Sequence, residues 1–184
     1  IGEQRLTNYA VRAPDLETFV RIILEDQTPP PQYFSHDASL NKQIRPLFED
    51  RISLNPVQLE DIHSPNIVVL DTREPEVFSA GHIKGSINIG LSGRYAEFAG
   101  SVLDPSSSLV VVAEPGDEQE ARMRLARIGF DHVQGYIANP YDVIANEAIP
   151  VSTSSRITCV HLHDLIDDQE PLNIIDVRNP SEHE

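Results

Sequence analysis

The feature that most restricts this chain is a pair of short, nearly continuous apolar runs, at 66–71 and 108–113. Both are rich in β-branched residues and lack polar alternation, the pattern of parallel strands covered on two faces rather than one. Further strand candidates lie at 86–89 and 132–137. Helical segments fall between them, at 74–80, 93–103 and 117–128. The last opens on Gly116 and Asp117, has acids in its first turn, carries Arg122, Arg124 and Arg127 towards its end and closes at Gly129, in keeping with capping and the helix dipole. Strand–helix alternation at this spacing predicts a right-handed α/β unit over 52–148, a parallel sheet flanked by helices.

The flanks read differently. Block 1–43 holds no strand ladder. Leu16, Phe19, Val20, Ile23 and Leu24 keep helical spacing behind a capping Asp15, and Thr28-Pro29-Pro30-Pro31 stops that helix. A short second helix is expected over 38–42. Block 151–184 starts a repeat: Ile174-Ile175-Asp176-Val177-Arg178-Asn179-Pro180 echoes Val69-Leu70-Asp71-Thr72-Arg73-Glu74-Pro75, 105 residues later. Helix-like lead-ins, 57–62 and 160–165, precede both copies. A unit so short cannot close its own core. It is therefore expected to be the truncated start of a second copy, and the missing initiator methionine fits a chain cut from a longer one.

Composition excludes several classes. The formal charge is −15, from 14 Lys and Arg against 29 Asp and Glu, with no basic stripe, so nucleic acid is not an expected partner. No apolar run approaches the roughly 20 residues that span a bilayer, and no secretory leader is visible, so no membrane partner is expected. A single cysteine, Cys159, excludes an internal disulfide and a multi-cysteine zinc site, and fits a cytoplasmic location.

The densest motif is Asp71-Thr72-Arg73, then Phe78, Gly81-His82-Ile83 and Gly85-Ser86-Ile87-Asn88. Asp71, at a strand end, can cap the following turn; Arg73 can pair with a carboxylate; Gly81 and Gly85 supply turns. His82 looks catalytic in isolation but reads better as a turn histidine bonded to backbone. This run closely resembles the first signature of the rhodanese family, which implies the fold predicted above and a scaffolding role for these residues.

In active rhodaneses a cysteine opens a loop after the strand corresponding to 108–112, and loop amides and a helix N-terminus stabilise its thiolate. Aligned on Gly116, the cysteine position falls on Ala113, and the loop reads Ala113-Glu114-Pro115-Gly116-Asp117-Glu118. Ala113 offers no nucleophile. Pro115 has no N–H to donate. Glu114, Asp117 and Glu118 place negative charge where an anionic sulfur donor would approach, and two unit charges ~5 Å apart repel by roughly 0.8–3 kcal/mol between water and protein-surface dielectrics. The resemblance therefore implies a pseudo-active-site loop and no catalytic residue in this chain.

The competing readings have specific bases. An active sulfurtransferase or rhodanese-fold phosphatase needs a cysteine at 113; Cys159, 46 residues later, reads as a buried or incidental thiol. The loop carboxylates could serve a ligand-sensing module, but acids at a helix entry commonly serve the dipole alone, and no metal site is expected. His161-Leu162-His163-Asp164 superficially resembles a binuclear metal motif, yet the aspartate is one place early and position 166 is Ile, so it reads as an exposed helix start.

Finally, Ile1-Gly2-Glu3-Gln4-Arg5-Leu6-Thr7-Asn8-Tyr9-Ala10, Phe19, Pro29-Pro30-Pro31, Tyr33-Phe34 and Leu40-Asn41 resemble the C-terminal tail of a metallo-β-lactamase-fold domain, as in bacterial proteins that join such a domain to rhodanese modules, persulfide dioxygenases and glyoxalase-II-like hydrolases among them. The resemblance implies three parts: that tail at 1–43, an inactive rhodanese-like domain at 52–148, and a second repeat beginning at 151–184. It implies no cofactor in this chain, with iron or zinc held by a parent domain upstream of residue 1. The expected partners are the two neighbouring domains or a second copy of the chain, and the expected role is structural or regulatory, within sulfur metabolism.

Overall fold

The computed structural model describes residues 2–25, 33–44, 53–146 and 149–177, with backbone alone for Gln4 and Arg5. The chain divides into two compact units, one from residues 1–30 and 165–184 and the other from 31–164.

In the first unit, α1 spans Gly2–Thr7 and α2 spans Leu16–Leu24. The expected cap is present: Asp15, in an extended conformation, accepts the Thr18 amide at 2.7 Å. The apolar stripe on α2 is largely exposed, Leu16 at 75% and Leu24 at 60%. The prolines after this helix, and Arg178-Asn179-Pro180 of the repeat, lie outside the described residues. The described part of the second strand motif, 173–177, forms no regular element and is exposed.

The second unit begins with α3, Tyr33–Leu40, which starts earlier than the 38–42 expected. The chain then supplies β1 (Ile67–Asp71), α4 (Pro75–Ala80), β2 (His82–Ile83), β3 (Ile87–Asn88), α5 (Tyr95–Val102), β4 (Ser108–Val112), α6 (Glu118–Ala126), β5 (Val133–Tyr136), α7 (Pro140–Ala145) and β6 (Val151–Ser152). A last helix, α8 (Cys159–Asp167), runs across the division between the units. Strands β3, β1, β4 and β5 form one sheet in that order, every pair parallel.

Alternation along these strands builds two cores. Leu70, Leu109 and Val111 face Tyr95, Ala99, Ala121, Leu125 and Phe130. Val69, Val110 and Val112 face Ile62, Ile83, Ile137 and Ile149. Covering both faces explains why the strands carry no polar alternation, and each fully buried valine or leucine contributes ~1.5–3 kcal/mol.

The unit extends beyond 52–148 at both ends, for packing reasons the sequence conceals. A Cβ on Gly100 would lie 2.1 Å from the Tyr33 ring, and one on Gly129 2.8 Å from Leu40, so α3 seats closely where two side chains are missing. At the other end β6 pairs antiparallel with β2, the Lys84 amide donates to the Pro150 carbonyl at 2.8 Å, and Ile149 is buried. The lead-in expected to be helical at 57–62 is not: Pro56 bridges Tyr136 in parallel, the Val57 amide donates to Tyr136, and only a 3-10 turn follows at Asp61–His63. Bonds to β5 outcompete local helix formation there. Lead-in 160–165 does lie within α8.

Candidate functional site

A parallel sheet gathers its functional loops at the carboxyl ends of its strands, and the sequence-selected residues follow β1 and β4 there. They form two groups.

The first is a clasp. Asp71 ends β1 fully buried and Arg73 is 2% exposed. Asp71 Oδ1 accepts from the Arg73 backbone amide at 3.1 Å and from Nε at 2.9 Å, while Oδ2 takes the terminal guanidinium nitrogen at 2.6 Å. That nitrogen also donates to the Gly81 carbonyl at 3.0 Å. Asn88 Nδ2 donates to the carbonyls of Asp71 (3.0 Å) and Arg73 (2.9 Å). Burial disfavours the Arg73 cation, but the hydrogen bond and charge of Asp71 outweigh it and, with Tyr141 and Glu114, raise the guanidinium above its ordinary value.

His82 belongs to this clasp too. Its ring stacks on Phe78 at 3.8 Å, and since a carbonyl only accepts, Nδ1 carries the proton and donates to Phe78 O at 2.8 Å. The histidine is thereby occupied in fastening α4 to β2, as a turn histidine should be. Gly85 takes the expected left-handed turn at φ 86°. Gly81 does not: its φ is 177°, and its need for glycine is space, with Ile144 only 3.1 Å from where a Cβ would stand.

The second group is the loop from β4 to α6. Ala113 is 2% exposed, and its methyl belongs to the apolar core that includes Leu70 and Ala121. Gly116 holds φ 103°, a conformation costly to other residues. Its amide donates to Glu118 Oε2 at 3.0 Å, so a carboxylate of the chain itself occupies a donor that an anion cradle would offer. The Asp117 side chain makes no cap hydrogen bond although the sequence suggests one; its amide closes a turn onto Glu114 O at 3.0 Å. Pro115 and Asp117 are exposed.

Glu114 is engaged as well, by a residue the sequence analysis did not select. Tyr141 Oη donates to Glu114 Oε1 at 2.5 Å, and the Arg73 guanidinium lies 5.4 Å from the Tyr141 ring centroid. Tyr141 thus links clasp and loop. Its phenol is raised above the ordinary 10.0, by the hydrogen bond to Glu114, then by burial and the Glu114 charge, against the lowering effect of Arg73. Pro140 at the first turn of a helix was the signal available for α7.

The remaining candidates lie on α8. Cys159 is exposed, not buried, at the start of α8. His161, His163 and Asp164 are exposed on the same helix, and the described residues contain no group of three metal-ligating side chains. No helix among them is long and apolar enough to cross a membrane.

With this geometry in place, the comparisons define the class. Residues 56–138 match the model of the rhodanese-like domain, and the parallel sheet flanked by helices is that fold. A metallo-β-lactamase from Staphylococcus aureus subsp. aureus COL, solved as a crystal structure, is similar at 25% identity and a TM-score of 0.63; the match covers 73% of this chain and 37% of that one. The chain therefore spans little more than a third of that protein. The EanB Y353A structure in complex with ergothioneine is similar in fold, at 14% identity, a TM-score of 0.50, and 67% and 34% coverage. Among proteins of curated function, no sequence match is found. Residues 56–138 thus match the rhodanese-like domain and carry its fold, and one structural neighbour of the chain is a metallo-β-lactamase.

Proposed function

We propose that residues 56–138 act as a non-catalytic rhodanese-like module of a protein that joins a metallo-β-lactamase-fold domain to rhodanese units. The observation that carries this reading is the loop itself: a methyl group packed in the core at 113, with Glu118 taking the amide at Gly116. A persulfide needs a sulfur atom, which position 113 lacks, and amide donors, of which those of Gly116 and Asp117 are already taken. The fusion rests on the Staphylococcus aureus likeness, which reaches well past 56–138. In that arrangement 1–43 ends the preceding domain, with α3 fastened to the module, and a second repeat begins within 151–184. Any iron or zinc, and any persulfide dioxygenase or thioester hydrolase chemistry, belongs to the joined domain. The module spaces, docks or dimerises, in the cytoplasm.

The test is turnover. Incubated with thiosulfate and cyanide, or with an aryl phosphate, the chain is expected to release no thiocyanate or phosphate above a protein-free blank. Turnover that survives Cys159→Ser would place chemistry in the loop, and turnover that needs Cys159 would place it on α8; either result overturns the non-catalytic reading. Co-sedimentation with the metallo-β-lactamase-fold domain or with a second copy tests the docking role, and its absence for both removes that role.

A further inference from the structure

The opposite end of the sheet carries a feature the loop does not explain. β3 pairs with β1 only at Leu70 and Asp71, so among the described residues Ile67, Val68 and Val69 have no strand partner on that side. The chain leaves the edge because it turns: Gly85 sits at φ 86°, and Ser86 closes the turn by donating its amide (3.0 Å) and hydroxyl (2.7 Å) to Ile83 O. The Thr72 amide donates to Val112, so the even-numbered backbone groups of β1 face β4 and the odd-numbered ones face the open side. The Ile67 amide is taken by Ser64 O. What remains towards the open side, among the described residues, is the Ile67 carbonyl and the Val69 amide. That pair is the acceptor and donor of one parallel bridge to a residue set opposite Val68.

This edge lines a half-open groove of about 540 Å³. Its walls are largely apolar, Ile62, Ile83 and Ile87 among them, and its one charged residue is Lys84, beside the His63 imidazole. Both are exposed, and neither forms an ion pair with a described residue. In a chain with twice as many acids as bases, a groove lined by a lysine and no carboxylate is complementary to an acidic ligand. An unpaired sheet edge above an apolar floor is the setting for strand addition, in which main-chain bonds give affinity and side-chain pockets give selectivity.

We propose that this groove binds an extended peptide segment with an apolar centre and acidic flanks, which adds a strand beside β1. The proposal stands independently of whether the loop at 113 is inert. The test uses the ¹⁵N-labelled chain and four probes: acetylated, amidated Glu-Val-Ile-Val-Glu; the same peptide N-methylated at its central isoleucine; Lys-Val-Ile-Val-Lys; and decanoate. The acidic peptide is expected to shift the Val69 amide saturably. N-methylation removes the donor to Ile67 O and should weaken binding about five- to tenfold. The lysine peptide should bind about two- to fivefold less tightly, a preference that Lys84→Glu abolishes or inverts. Equal binding by the N-methylated peptide, a Val69 response to decanoate matching that to the peptide, or no response to any probe overturns the proposal.

Discussion

Removing Asp71 while leaving Arg73 in place isolates the clasp that orders the carboxyl end of the sheet. In Asp71→Ala the guanidinium keeps its 2% exposure but loses the carboxylate that accepts three of its residue's N–H groups, at 3.1, 2.9 and 2.6 Å. Breaking a buried pair by deleting one partner costs ~3–5 kcal/mol, because the surviving charge is uncompensated. Set against the 5–15 kcal/mol that holds a typical domain together, about a third of the stability goes. The exposed pair Arg94–Glu97, with side chains 67% and 39% accessible, is the internal contrast; Arg94→Ala is expected to cost under ~1 kcal/mol. Urea unfolding followed by far-UV circular dichroism reads both, at unchanged slope. Adding Arg73→Met to Asp71→Ala should recover part of the loss, since it removes the stranded charge. A loss below ~1 kcal/mol for Asp71→Ala, or a double variant worse than the single one, would refute this reasoning.

Two further outcomes follow from single contacts. Gly100→Ala in a helix interior ordinarily gains ~0.5–1 kcal/mol, but here the new Cβ meets the Tyr33 ring at 2.1 Å, so a loss of ~1–3 kcal/mol and faster proteolysis of α3 are expected; a gain in melting temperature contradicts the seating of α3. The Tyr141 phenol, raised mainly by Glu114, adds stability that is complete below its unfolded value of 10.0 and is lost as pH rises through its higher folded value. Tyr141→Phe should flatten that alkaline slope in pH-dependent unfolding, and an unchanged slope contradicts the bond.

How far the sequence could be read follows from what each residue answers to. The runs at 66–71 and 108–113 declared themselves because both faces of β1 and β4 are covered, a condition that leaves its mark on every position. Asp15, His82 and Gly85 were legible because their partners are near in the chain. β6 was not, because two residues opposite β2 leave no periodic trace, and 57–62 misled because its governing bonds go to β5. Within the loop, the acids were visible but their engagement was not. That Glu118 folds back on Gly116, and that Tyr141 reaches Glu114 from α7, depends on tertiary placement alone. At Ala113 the lack of a nucleophile is legible in the sequence; its burial in the core shows that the position is also packed.

The most direct measurement introduces the missing atom and asks whether the loop welcomes a thiolate. In Cys159→Ser/Ala113→Cys, the thiol faces burial and the charges of Glu114, Asp117 and Glu118. Its pKa, from thiolate absorbance near 240 nm, is expected above the free-thiol value of ~8.5, with Glu118→Gln lowering it. A value below ~7, as amide-cradled thiolates show, would mean the loop still stabilises an anion and would contradict its assignment as inert.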